Sequence, residues 1–87
     1  MKKLKDEKRQ GKKMQHKFKR HQPVALLRVP PDDFIEPWAD PPAQLKPGMK
    51  GKINIILPNG MYHVEINNEQ GEVVAYVAVD EDSLEAV

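Results

Sequence analysis

The sequence predicts an all-β fold, a small five-stranded barrel that follows a basic N-terminal arm. Two segments, Met61–Asn67 and 72–79, have a side-chain pattern with a period of two, as strands with one buried face do. Turn-forming residues separate the strands, at Pro58–Gly60, where Gly60 can adopt a positive φ, and at 68–71. The chain has no cysteine, so a barrel of about 65 residues must be stabilised without disulfides.

The first strand is predicted in the apolar run 24–29, which follows Pro23 and ends at Pro30 and Pro31. Six prolines then lie between residues 30 and 47. Because proline lacks a backbone donor and blocks regular ladders, this segment is predicted to be one long irregular loop.

The remaining strands form a predicted meander. Residues 50–57 are its first strand, and the two period-two segments are its second and third. Residues 80–84 are predicted to form a single 3₁₀ turn, and residues 85–87 a last edge strand. The predicted core residues of the meander are Ile55, Val64 and Val77.

This order of a strand, a long loop, a meander, a helical turn and a short strand is the layout of an SH3-like barrel. Matching segments are PVALL at 23–27, LKPGMKGKI at 45–53, GMYHVEI at 60–66 and AYVAV at 75–79, followed by Leu84 and Val87. They resemble a family of small, uncharacterised bacterial SH3-like proteins, a domain of unknown function whose pattern includes D-V-V-A-L, L-x-x-G-x-x-G-x-V and D-G-x-Y-x-V-E-F. The match covers 23–87, but the loop at 30–44 is longer than in the family and the arm is extra.

The matching positions are turn glycines and alternating apolar residues, so the resemblance implies the fold and supplies no active site. Some relatives look like partners in small toxin–antitoxin or immunity-type gene pairs, which implies a protein partner here. A shorter stretch, 57–66, resembles the second and third strands of bacterial translation initiation factor one, an OB-fold protein. That family continues into two basic strands, whereas this chain ends in acidic residues, which favours the SH3-like layout.

The charge is divided between two parts of the chain. Residues 1–21 carry ten lysines and arginines against two carboxylates, a formal charge of +8, and residues 22–87 carry four against eleven, a charge of −7. We therefore predict two units, a basic arm at 1–22, disordered alone or ordered by a partner, and an SH3-like barrel at 23–87 that folds without it. The arm is a solvated tail, a segment that folds back on the acidic body, or a polyanion-binding segment.

The candidate polyanion-binding residues are Lys8, Arg9, Lys12, Lys13, Lys17, Lys19 and Arg20. Lysine outnumbers arginine eight to two in the arm, which favours non-specific phosphate contacts over bidentate recognition of bases. Carboxylates on the body would repel phosphate, so nucleic acid ranks behind a protein as the partner.

Three side chains of the proline-rich loop, Phe34, Ile35 and Trp38, are candidate partner-binding residues. Aromatic side chains on a stiff loop lose little entropy on docking. Alternatively, the loop covers an open end of the barrel, which is the role we expect for Phe34 and Ile35. Trp38 has small and polar neighbours and is the better interface candidate.

Catalysis is not expected. The chain has no cysteine or threonine, and its one serine, Ser83, lies among carboxylates with no histidine near in sequence, as a turn residue would. His16, His21 and His63 are too scattered to specify a metal, and we expect no cofactor. No stretch approaches about 18 apolar residues, so we expect no membrane span. The absence of cysteine fits a reducing compartment, so we expect a cytoplasmic location.

The sequence therefore favours a noncatalytic protein-interaction module, with a nucleic-acid- or ribosome-associated small barrel as the alternative.

Overall fold

A computed structural model describes residues 17–87, which form six antiparallel strands and three 3₁₀ turns. The strands are β1 (Pro23–Leu26), β2 (Ile35–Pro37), β3 (Lys50–Ile56), β4 (Met61–Asn67), β5 (Val73–Asp80) and β6 (Leu84–Ala86). The 3₁₀ turns are Asp32–Phe34, Pro58–Gly60 and Glu81–Ser83. The all-β class is confirmed, and so is the short helical turn before the last strand.

All six strands belong to one sheet, in the order β2-β5-β4-β3-β1-β6. The predicted meander is present as β3, β4 and β5, and β6 returns to pair with β1. β2 and β6 lie at opposite ends of this order and, within residues 17–87, do not pair with each other. The described residues therefore form one six-stranded antiparallel sheet, and the five-stranded barrel stays a prediction.

The additional strand, β2, lies inside the segment that was predicted to be wholly irregular. Its Ile35 pairs with Val77 of β5, and Pro37 pairs with Ala75. An edge strand tolerates proline because one side of its backbone has no partner that needs a donor. Proline density therefore overstated the irregularity of this loop.

The core lies on one side of the sheet. Its members are Phe18, Val24, Leu26, Leu45, Ile53, Tyr62, Val64, Ile66, Val74, Ala75, Val77, Val79 and Leu84. Alternate residues of β4 are buried, as its period-two pattern predicts. β1 is shorter than predicted: it ends at Leu26, and Leu27 and Val29 beyond it are exposed.

Phe18 corrects the predicted boundary between the arm and the folded unit. Phe18 is 2% exposed, and its ring packs edge-to-face against Tyr62, with ring centroids 5.5 Å apart and an interplanar angle of 73°. The Phe18 backbone N–H donates to the Tyr62 hydroxyl at 3.2 Å. Two further bonds, His21 N–H to Ile53 O and Ile53 N–H to Gln22 O, extend the β1–β3 ladder toward the N-terminus. Residues 18–22 are therefore part of the folded unit.

Ile55 was predicted in the core, and this prediction is wrong. A bulge shifts the β3–β4 register between Ile53, which pairs with Val64, and Ile55, which pairs with His63. The extra residue, Asn54, reverses the alternation. Ile53 is consequently fully buried, whereas Ile55 is 45% exposed. Val64 and Val77 are buried as predicted.

The two predicted turns of the meander are confirmed. Asn59 and Gly60 have φ of 65° and 75°, the left-handed values that a Pro-Asn-Gly turn accommodates. In the second turn Gly71 has φ of 85°, and the Asn68 side-chain oxygen accepts the backbone N–H groups of Gln70 and Glu72, each at 2.9 Å.

Candidate functional site

The face of the sheet opposite the core carries a line of aromatic contacts. Trp38 lies immediately after β2, and its indole meets the Tyr76 ring of β5 edge-to-face, with centroids 5.4 Å apart and planes at 88°. Tyr76 in turn stacks on His63 of β4, with centroids 5.1 Å apart and planes at 12°. We call Trp38, Tyr76 and His63 the aromatic row. Its members come from three neighbouring strands or their ends and form one continuous surface.

Backbone geometry fixes Trp38, which is also the most exposed member of the row. The Trp38 N–H donates to the carbonyl oxygen of Val74 at 3.0 Å, which continues the β2–β5 ladder by one bond. Even so, Trp38 is 59% exposed. A large exposed aromatic side chain whose backbone is already ordered loses little further entropy when it binds.

The far end of the row is tied to the bulge in β3. The Asn54 side-chain amide lies 3.0 Å from His63 Nδ1, and with the amide nitrogen donating, Nδ1 accepts. The Arg20 Nε–H donates to the Asn54 carbonyl oxygen at 3.3 Å. The bulge therefore links Arg20 to the histidine of the aromatic row.

Two carboxylates lie beside the central tyrosine. Tyr76 pairs with Glu36 of β2 on one side and with Glu65 of β4 on the other. Lys52 of β3 pairs with Glu65 and is therefore one strand further from the ring. Since neighbouring strands are about 5 Å apart, the nearest charges to Tyr76 along this line of the sheet are negative. We call Glu36 and Glu65 the acidic flank.

A shallow hollow of about 200 Å³ lies between the 3₁₀ turn Asp32–Phe34 and the aromatic row. Its lining residues include Asp33, Phe34, Glu36, His63 and Tyr76. A second hollow, of about 450 Å³, lies on the other side of β2 under the proline-rich loop. Its lining residues are mostly apolar and include Val29, Ile35, Pro37, Pro42, Leu45 and Ala75.

The three predicted partner-binding residues occupy different environments. Ile35 is half-buried and packs against the core, as expected for a residue that covers it. Phe34 was expected to do the same, and this is wrong, because it is 48% exposed. It ends the 3₁₀ turn before β2 and lines the shallow hollow together with His63 and Tyr76. Phe34 and Trp38 are therefore both accessible to a partner, whereas Ile35 packs against the core.

Only part of the predicted polyanion-binding set lies in the described residues. Lys17, Lys19 and Arg20 are exposed, and the Lys17 ammonium lies 5.5 Å from the centroid of the Phe18 ring. The other predicted residues of this set, Lys8, Arg9, Lys12 and Lys13, lie outside the described residues.

The predicted turn role of Ser83 is confirmed. It ends the 3₁₀ turn Glu81–Ser83, and its hydroxyl donates to the Asp80 carboxylate at 2.8 Å. Between residues 17 and 87, no three His, Cys, Asp or Glu side chains are grouped so as to hold a metal ion. In the same range no helix is long and apolar enough to cross a membrane.

Sequence reasoning missed Tyr76, His63 and the acidic flank as parts of a site. Period-two alternation does assign Tyr76 and His63 to the outer faces of their strands. However, only the register of β4, β5 and the unexpected β2 brings them together with Trp38. No protein-family model, curated protein or solved structure matches this chain.

Proposed function

We propose that this protein is a noncatalytic interaction module that binds a protein partner through Trp38 and the aromatic row. The observation that carries the proposal is that Trp38 is 59% exposed while its backbone is hydrogen-bonded and its indole contacts Tyr76. Tryptophan and tyrosine are enriched among the residues that dominate binding energy at interfaces. The exposed Phe34 at the neighbouring hollow extends this surface.

The proposal includes an SH3-like small barrel as the fold of this module. Two features support it: β6 pairs with β1, and a 3₁₀ turn separates β5 from β6. β2 is then an addition from the long loop at the β5 edge. We further propose a cytoplasmic protein whose partner comes from a toxin–antitoxin or immunity-type pair, with the basic arm adding electrostatic attraction.

The test compares the unsubstituted chain with its Trp38→Ala variant in pull-downs, and the captured material is analysed for protein and for nucleic acid. Trp38→Ala is expected to weaken the complex by about 2 kcal/mol or more while changing the melting temperature little, because the side chain is mostly in solvent. Leu27→Ala, at another exposed apolar side chain, is the control and should leave binding unchanged. Equal loss of partner in both variants, or a large loss of stability in Trp38→Ala, would contradict the proposal.

The second candidate is a nucleic-acid- or ribosome-associated protein that contacts phosphates through the arm. It is favoured by the exposed Lys17, Lys19 and Arg20 and by the bond that ties Arg20 to Asn54 beside the aromatic row. Bases stack on aromatic side chains, and cations beside them bind the backbone. The acidic flank opposes this function, because Glu36 and Glu65 lie closer to Tyr76 than Lys52 does.

A further inference from the structure

We propose that the aromatic row and the acidic flank form a binding site for a cationic side chain, arginine or lysine, presented by a basic segment of the partner protein. This inference rests on the proposed function and specifies the chemistry of the partner. The ring geometry, the local charge and the lining of the neighbouring hollow each favour a cation.

The ring geometry leaves Trp38 available for a cation. His63 is stacked on Tyr76 at 12° and occupies one face of the phenol ring. Trp38 stands at 88° to Tyr76, and most of its side chain is accessible. The face of an indole ring attracts cations more strongly than other aromatic faces do, at distances up to about 6 Å from the ring centroid. Because Trp38 is 59% exposed despite its contact with Tyr76, a cation can reach the indole from solvent.

The acidic flank selects the sign of the ligand. Glu36 is exposed on the edge strand, and Glu65 is half-buried, with its Oε2 accepting a bond from the Asn67 side-chain amide at 2.9 Å. Both carboxylates are next to Tyr76 in register, whereas Lys52 lies beyond Glu65. A cation over the row therefore gains both the ring interaction and the carboxylates, and a phosphate would meet two negative charges first.

The hollow beside the row gives the cation a defined approach. Asp33 and Glu36 line it together with Phe34, His63 and Tyr76, and its volume is about 200 Å³. It accordingly combines two carboxylates with aromatic walls. An arginine guanidinium can bind a carboxylate and stack on an aromatic ring at the same time, which suits this lining better than an apolar or anionic side chain would.

The experiment measures the fluorescence of Trp38, the one tryptophan of the chain, in the full-length protein. The probes are an octa-arginine peptide, an octa-glutamate peptide and an oligouridylate of similar length. Octa-arginine is expected to shift the emission saturably, and octa-glutamate is expected to leave it unchanged. If oligouridylate shifts the emission at lower concentrations than octa-arginine does, it binds more tightly. The row is then a nucleic-acid site and the inference is wrong.

Two double variants carry equal changes in charge. Their comparison distinguishes binding at the aromatic row from attraction of the peptide to the overall negative charge of residues 22–87. Glu36→Gln with Glu65→Gln should weaken octa-arginine binding about fivefold or more, because both carboxylates are adjacent to the row. Glu81→Gln with Glu85→Gln removes the same charge from the 3₁₀ turn and the opposite edge of the sheet, and should change binding less than about twofold. Equal weakening in both double variants would overturn the inference.

The inference and the proposed function can fail separately. If Trp38→Ala abolishes partner capture but octa-arginine leaves Trp38 fluorescence unchanged, the interaction module stands and the cationic ligand is wrong. If octa-arginine binds with the expected variant pattern but partner capture does not depend on Trp38, the site stands and the proposed function is wrong.

Discussion

Gly51 occupies a position on β3 that has no room for a side chain. It pairs with Val24 of β1 and with Ile66 of β4, so backbones flank it on both sides. A Cβ atom built there would overlap the carbonyl oxygen of Glu65. Because that oxygen belongs to the backbone of β4, relief would require the two strands to move apart. Glycine is therefore needed here for close approach and not for a positive φ.

Gly51→Ala is expected to lower the free energy of unfolding by about 3 kcal/mol or more, because the added methyl group meets backbone and not a flexible side chain. Gly60→Ala is the matched control. Gly60 has φ of 75° and nothing within 4 Å of an added Cβ, so only the backbone conformation is penalised, at about 1 kcal/mol. Urea titrations of both variants measure the difference. A smaller loss in Gly51→Ala than in Gly60→Ala would contradict the close contact.

At the scale of elements, the bulge in β3 determines which isoleucines belong to the core. One extra residue, Asn54, turns Ile53 toward the core and Ile55 toward solvent, although the two are separated by an even number of positions. The same bulge presents the Asn54 side chain to His63 and its carbonyl oxygen to Arg20. A single irregularity thus shapes both the core and the end of the aromatic row.

The bulge predicts different costs for the same substitution two residues apart. Ile53→Ala should lower the free energy of unfolding by about 3 kcal/mol, since a fully buried side chain leaves a cavity. Ile55→Ala should cost less than about 1 kcal/mol, because its side chain is half in solvent. Chemical denaturation of the two variants provides the comparison. Equal costs would show that β3 runs without the bulge.

The meander could be predicted because period-two patterns and turn residues are local signals. Asn59, Gly60 and Gly71 have the positive φ values that their residue types favour. β2 could not be predicted, since three residues ending in proline have no recognisable period and gain their structure from pairing with β5. The aromatic row could not be predicted either, because residues 38, 63 and 76 are distant in sequence and only the cross-strand register brings them together.

The segment at 18–22 is also part of the folded unit, and the charge pattern gave no indication of this. Cations surround Phe18 in sequence, which suggested a solvated arm, yet its ring is buried against Tyr62. One aromatic residue is too weak a pattern to signal a strand or helix, and its burial depends on a cavity formed by distant strands. The folded unit therefore begins before Pro23.

Fragments that begin at residues 17 and 22 test this boundary. Losing a buried phenylalanine costs about 3 kcal/mol or more, so fragment 22–87 should melt about 15 °C below fragment 17–87. Phe18→Ala in the full-length protein should produce a similar decrease, and Lys19→Ala, at an exposed neighbour, should produce little change. Identical melting of the two fragments by circular dichroism would return the boundary to residue 22.

The two oppositely charged parts of the chain determine which charged partners each part attracts. The net charge of +1 gives little overall attraction or repulsion, so local fields decide the encounter. The basic arm favours polyanions, whereas the acidic flank favours cations. Ionic strength separates these effects, because contacts with nucleic acid release counterions.

We expect the full-length protein to bind RNA and DNA weakly and without sequence preference at low salt. Affinity falls with salt at a logarithmic slope of about 0.7 per phosphate on single strands and 0.9 on duplex DNA, so an arm that engages about six phosphates loses on the order of a thousandfold between about 50 and 200 mM salt. Fluorescence anisotropy should detect little binding at the higher salt concentration.

Two variants are the controls. Fragment 17–87, which keeps Phe18, should bind nucleic acid less tightly at every salt concentration. Scrambling residues 1–16 should leave the affinity unchanged if charge alone matters. Tight binding to one RNA near 200 mM salt would instead favour the nucleic-acid- or ribosome-associated function, because only contacts beyond the phosphates would persist there.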